Sequence, residues 1–263
     1  MSRWWAERLR IGLAPERVDL ARLGSVPGRQ PTRQIGVNCA PTPGEAPWQA
    51  ALTALDSALA EFGSRGGSAA VVLSNHWVRY AVLPWQPSVT STGEMEQLAR
   101  LQFERNFGAA AAGWTIRTCD RGYGAAHVAC AVDTALIAAL QECLAAHGLR
   151  LGTLQPLLMA AYNDARREFS GSTALAIVEP GRVCLGLLKR DRWLAIASRR
   201  AGADLSEAIE QELATLDVDA VPPRLDVLLV GADTPWVAPA TRAARLLGGP
   251  RARGRSLAMC GTA

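Results

Sequence analysis

The stretch "IVEPGRVCLGLLKRDRWLAIAS", residues 177 to 198, reads as strands joined by tight turns, the sharper of them at Pro180-Gly181. A turn of this kind can grip phosphate when glycines let backbone N–H groups approach the oxygens and an acid holds a metal ion. Here the turn carries Glu179, Pro180, Gly181, Arg182 and Val183. Proline offers no N–H, and glutamate repels an anion. Arg182 has the right charge, but a lone arginine in a hairpin turn is expected to be solvated.

Other chemistries find less support. The six cysteines, at 39, 119, 130, 143, 184 and 260, include no C-x-x-C pair, and His76, His127 and His147 form no H-x-x-x-H pair, so a metal site is not expected. Reduced, mostly buried thiols are. The pattern G-x-S-x-G does not occur, and "GSRGGSA" (63 to 69) lacks the G-K-[ST] of a phosphate-binding loop. That glycine cluster reads as a helix stop and loop.

The 28 basic and 24 acidic residues leave a formal charge of +4, weak grounds for a nucleic-acid partner. Five arginines between Arg242 and Arg255 read as a solvated surface, and Trp4 and Trp5 as packing or a partner contact. No apolar run reaches the roughly 18 to 20 residues that cross a bilayer. The start "MSRWWAERLR" has no apolar core of about 7 to 15 residues such as a secretory signal carries. A cytoplasmic location is the expectation.

The elements that would position these turns follow from periodicity. Residues 8 to 14 and 16 to 23 suit a short hairpin and 33 to 38 a third strand. Trp48, Ala51, Leu52, Leu55, Leu59 and Phe62 recur at steps of three and four, the stripe of a helix that Gly63 would stop. "SAAVVLS" (68 to 74) is a buried strand, and "HWVRYAVLPW" alternates as a strand with two useful faces. Ser91 and Glu94 form a capping box for a helix with Met95, Leu98, Ala99, Phe103 and Phe107 inward and Leu101 off the stripe. "WTIRTC" and "AHVACAV" are strands, and a helix capped at Asp133 or Thr134 turns Leu136, Ile137, Leu140 and Leu144 inward before Gly148. A strand over 149 to 154 and a helix through Phe169 lead to a domain boundary near Ser170 to Thr173. The opening pattern then returns, with three strands, a helix over 204 to 216, the strand 224 to 231, a short helix near 239 to 247, and "SLAMCG" as a closing strand.

That duplication, with a strand-helix insertion in the first half, resembles the actin-like ATPase superfamily, and within it the PilM, GspL and MshI group of cytoplasmic components of type IV pilus and type II secretion assembly. The resemblance runs in order along nearly the whole chain. It is carried by "RIGLAPERVDLARL", "AAVVLSNHWVRYAVLPW", "EMEQLARLQFERNF", "HVACAVDTALIAALQECLAAHGLRLGTLQPLLMAA", "ALAIVEPGRVCLGLLKRDRWLAIASRR", "DVLLVGADTPWV" and "SLAMCGTA". It implies an α/β fold of two RNase H-like domains, each βββαβα(β). The first would span 1–170 with a subdomain inserted at about 75–122, and the second 171–263.

In active members of that superfamily each hairpin turn carries glycines and an Asp that holds hydrated Mg²⁺. By that likeness Gly12 stands in the place of the first acid and Ile177 in the place of the second, while Ala14, Pro15, Glu16 and Arg17 replace the first small polar turn. Gly181 and Arg182 remain in the second turn, and Gly231 is followed by Ala232 and Asp233 instead of further glycines. The resemblance therefore implies a pseudo-ATPase with a degenerate cleft, no catalytic residues, no metal site, and Mg·ATP disfavoured as a cofactor. Its function would be that of a non-catalytic scaffold docking the tail of a small single-span inner-membrane protein, PilN-like, and also the assembly ATPase. It would sit at the inner membrane through that partner, with no span of its own. Trp77, Tyr80 and Trp85 are the candidate docking residues, since aromatic anchors dominate interface energetics. The alternative is a divergent nucleotide-binding ATPase or kinase-like enzyme of the same superfamily, with Glu16, Asp19 or Glu179 as substitute magnesium ligand. Asp19, by alternation with Val18 and Leu20, is expected to face solvent.

Overall fold

A computed structural model of the chain describes residues 8–24, 31–63, 66–119, 124–169, 171–190, 192–202, 205–215, 224–230, 243–247 and 256–260. They group into two compact units, 1–77 with 135–164 and 255–263, and 78–134 with 165–254. This grouping follows packing and differs from the division at residue 170 expected from the repeated order of elements.

In the first unit, β1 (Arg8–Ala14), β2 (Arg17–Leu23) and β3 (Arg33–Asn38) form an antiparallel meander, and β4 (Ser68–Leu73) and β8 (Arg150–Pro156) add in parallel, in the order β3-β2-β1-β4-β8. Helix α1 (Gln49–Phe62) buries Ala51, Leu52, Leu55, Leu59 and Phe62, the expected stripe. Gly63 stops it in the left-handed conformation (φ 66°), its N–H bonded to the Leu59 carbonyl. Helix α3 (Thr134–Ala146) buries Leu136, Leu140 and Leu144. Helix α4 (Leu157–Ala165) follows β8, and Asn75, fully buried after β4, accepts the Leu158 N–H at its N-terminus (3.3 Å).

In the second unit, β9 (Ser172–Glu179), β10 (Arg182–Lys189) and β11 (Arg192–Arg200) repeat the meander, and β12 (Arg224–Leu229) and β13 (Ala243–Leu246) add in parallel, in the order β11-β10-β9-β12-β13. The two five-stranded sheets thus have the same internal order. Val183, Leu185 and Leu187 enter a core with Ile209 and Leu213 of α5 (Leu205–Thr215). Each such fully buried aliphatic side chain contributes roughly 1.5 to 3 kcal/mol.

The same unit holds a three-stranded antiparallel sheet, β5 (Val78–Leu83), β7 (His127–Asp133) and β6 (Trp114–Cys119), in the order β5-β7-β6. Helix α2 (Thr92–Phe107) packs on it through Met95, Ala99 and Phe103. Its capping box is complete: Ser91 Oγ accepts the Glu94 N–H (3.2 Å), and Glu94 Oε2 accepts those of Ser91 (3.1 Å) and Thr90 (2.7 Å). Leu101 is 62% exposed, as the stripe requires. Phe107 is 40% exposed instead of inward, its ring stacked on Phe103 and edge-on to Trp114.

Four further expectations are corrected. Residues 243 to 246 are strand and not helix: a run of four is too short for the helical period, and Arg245 is drawn to β12 by Asp226 (Nε to Oδ1, 2.7 Å); residues 239 to 242 lie outside the described residues. The stretch "SLAMCG" ends in a 3₁₀ turn (Leu257–Met259) and not a strand. Asp19 is buried and not solvent-facing. The thiols are more open than expected, since Cys184 and Cys260 are buried, Cys39, Cys130 and Cys143 half-buried and Cys119 exposed.

Candidate functional site in the hairpin turns

The first turn joins β1 to β2 at Pro15 and Glu16, and its groups are occupied locally. The Glu16 carbonyl accepts the Cys39 N–H (3.0 Å), and the Pro15 carbonyl accepts the Cys39 thiol (3.4 Å). Burial, reinforced by the Glu16 charge, raises the Cys39 pKa above its ordinary value. Glu16 itself is exposed and Pro15 half-buried.

Gly12 lies on β1 opposite Asp19 of β2. A Cβ at position 12 would come within 2.5 Å of the Ala258 nitrogen and 2.6 Å of the Leu257 Cβ. No side chain fits there, because residues 256 to 260 lie across β1, β2 and β4. Two polar groups of the sheet hold that segment. Asp19 Oδ2 accepts the Leu257 N–H (3.1 Å), and Arg10 donates to the Cys260 carbonyl (2.8 Å). The other Asp19 oxygen accepts Arg17 Nε at 2.8 Å, and Arg17 also donates to Asn38 Oδ1 (3.2 Å). Burial of Asp19 is thereby compensated by charge and by hydrogen bonds. Gly36 on β3 leaves the room: a Cβ there would overlap the Arg17 guanidinium.

The second turn, between β9 and β10, holds Pro180 and Gly181 on the surface, with Gly181 at φ 70°. The Gly181 carbonyl accepts the Ala201 N–H (3.0 Å). Glu179 and Arg182 face each other in register across the turn, and both are buried. Arg182 is only 9% exposed, which corrects the expectation of a solvated arginine. Its side chain lies along the sheet and donates to Ser198 Oγ of β11 (3.0 Å). Burial, with Arg79 as the next cause, pulls its pKa below the usual guanidinium value. Ile177 is fully buried in β9.

Gly231 and Ala232, the third turn, lie outside the described residues. Trp77 belongs to the first unit, Tyr80 and Trp85 to the second, and all three are half-buried. Among the described residues, no group of three His, Cys, Asp or Glu side chains is placed to hold a metal ion. No described helix is long and apolar enough to cross a membrane.

Asp19, named from the sequence only as a substitute magnesium ligand, instead holds the Leu257 N–H and the Arg17 guanidinium, and Ser198, the partner of Arg182, carries no signal in the sequence.

No family model and no curated protein matches the chain. Solved structures do. The cytoplasmic domain of EpsL, an inner-membrane component of the type II secretion system of Vibrio cholerae, aligns with a TM-score of 0.62 over 92% of this chain and 89% of that one, at 13% identity. A protein of Bacteroides thetaiotaomicron with an actin-like ATPase fold and unknown function aligns at 0.59 over 88% and 86%, also at 13% identity. The PilM-PilN type IV pilus biogenesis complex aligns at 0.53 over 81% of this chain and 67% of that one, at 20% identity. With two sheets of matching strand order and these likenesses along most of its length, the protein has the actin-like ATPase fold.

Proposed function

We propose that the protein is a non-catalytic scaffold of a type IV pilus or type II secretion assembly platform, working on the cytoplasmic side of the inner membrane. Two of the structures it resembles are components of such systems, the EpsL cytoplasmic domain and the PilM-PilN complex. In this reading residues 1–170 and 171–263 are the two duplicated domains. The protein docks the tail of a single-span, PilN-like membrane protein, with Trp77, Tyr80 and Trp85 as its aromatic contacts, and also meets the assembly ATPase.

The observation that carries the non-catalytic part is the packing at Gly12. Metal-assisted phosphoryl transfer needs a carboxylate for the cation and donors for the phosphate together. A carboxylate in place of Gly12 would overlap Leu257 and Ala258, and the adjacent turn presents a proline and a glutamate. Hydrated magnesium and a nucleotide phosphate do not fit these residues, and no step of a reaction is assigned to them.

The docking is tested with a synthetic peptide of the cytoplasmic tail of a PilN-like single-span protein from the same organism. Saturable binding that weakens at least tenfold in Trp77→Ala or Trp85→Ala, with unchanged thermal unfolding, supports the reading. Absence of binding to the tail contradicts it.

A further inference from the structure

The turn that ends the β10–β11 hairpin departs from local rules in several ways that point in one direction. Lys189 and Arg192 stand directly opposite each other, a like-charge pair that weakens strand pairing. Arg190, next to Lys189, is held in the left-handed region at φ 49°, where glycine or asparagine is the usual residue, and its N–H is fixed to the Gly171 carbonyl (2.7 Å). Beyond Arg192 the register slips by one. Leu187 faces Ala195 and Leu188 faces Trp193, so Leu194 is the extra residue of a β-bulge.

The bulge brings a leucine to the surface. Trp193 is buried against Gly186, where a Cβ would overlap the indole, while Ala195 packs on the α5 core from the other face of the sheet. Residues two apart on a regular strand share a face, so the strand reaches both partners only by leaving Leu194 out of the ladder, 41% exposed. Lys189, Arg190, Arg192 and Leu194 are all exposed and line an open recess of about 550 Å³. Arg192 also donates to the Gly124 carbonyl, at 3.5 Å. The turn contains one acid in its sequence, Asp191, against these three cations, so its excess charge is positive. Local rules are commonly broken where function requires it.

We infer that residues 189 to 194 form a contact for an anionic lipid surface, with the cations meeting the phosphates and Leu194 the boundary of the acyl chains. A leucine set among cations at the end of a hairpin has the composition of such a contact. An acidic peptide also offers negative charge, but it is recognised by a walled groove or by free groups of a strand edge, and this recess is open and bounded by side chains of a turn. The contact does not rest on the docking proposed above. It is tested with lipid alone, so the failure of either leaves the other standing.

The test is co-sedimentation of the full chain with phosphatidylcholine vesicles that do or do not contain about a quarter of phosphatidylglycerol. Binding to the anionic vesicles alone is expected, and it falls as salt is raised. Arg190→Gly removes a cation while giving the turn a residue suited to its φ, and should weaken binding about fivefold. Leu194→Ser should weaken it about threefold, which attraction through net charge alone would not do. Thermal unfolding confirms that both variants keep the fold. No binding, equal binding to neutral vesicles, or binding unchanged in either variant would overturn the inference. So would saturable binding of a glutamate-rich peptide that both variants lose and anionic vesicles do not displace, which would assign the turn to an acidic protein segment.

Discussion

The carboxylate of Asp19, on the second strand, accepts the backbone N–H of Leu257 at 3.1 Å across 238 positions of sequence. One hydrogen bond thus ties the last described segment of the chain to its first hairpin, on the face where Gly12 has no side chain. Asp19→Ala leaves that buried N–H without its acceptor and takes the carboxylate from Arg17, which keeps only Asn38. We expect a loss of about 1 to 3 kcal/mol, measured by urea unfolding, and faster hydrogen exchange at Leu257. Unchanged exchange at Leu257 would show that the segment is held by other means.

The packing at Gly12 makes a second prediction. Gly12→Ala forces the new methyl against the Ala258 nitrogen and Leu257, backbone and side-chain base that cannot swing away. The expected cost is roughly 1 to 3 kcal/mol. Gly93, in the first turn of α2 with nothing within 4 Å of its virtual Cβ, is the control. Gly93→Ala should be neutral or stabilise slightly, since alanine loses less backbone freedom than glycine. Equal effects at the two positions would refute the packing argument.

A third prediction concerns alkaline pH. Burial raises the Cys130 thiol from 9.0 to about 11, with the neighbouring Cys119 adding to the effect. The folded state therefore favours the neutral thiol. This contribution is intact below pH 9.0 and is lost as pH rises toward about 11, because the unfolded chain releases its proton first. The full loss corresponds to roughly 3 kcal/mol. Cys130→Ala should flatten part of the decline, leaving the shares of Cys143, also raised to about 11, and of buried Cys184. An identical decline in wild type and variant would contradict this. At neutral pH the exposed Cys119 should react with a thiol reagent before Cys130.

How much of this was legible depended on whether a signal was local. The hairpin 8 to 23, the α1 stripe ending at Gly63 and the Ser91–Glu94 box are written within a few residues of themselves, and the structure has them where periodicity and capping put them. Alternation alone puts Asp19 at the surface, because it predicts faces only where nothing from elsewhere in the chain covers them. The cover is Leu257, from the far end of the chain. Arg182 departs from its expectation for a related reason: a turn arginine is solvated unless a neighbouring strand supplies a partner, and Ser198 does. Residues 243 to 246 offered too few turns to separate helix from strand, and the deciding contact, Arg245 with Asp226, joins two strands.

The central claim is that the fold serves as a platform without phosphoryl transfer. A single-turnover assay with radiolabelled ATP and magnesium, in the presence and absence of the proposed PilN-like tail, tests it most directly. No phosphate release above the protein-free control, in either condition, is the predicted result. Magnesium-dependent release that scales with protein concentration would contradict the account and identify the protein as a working nucleotide-dependent enzyme.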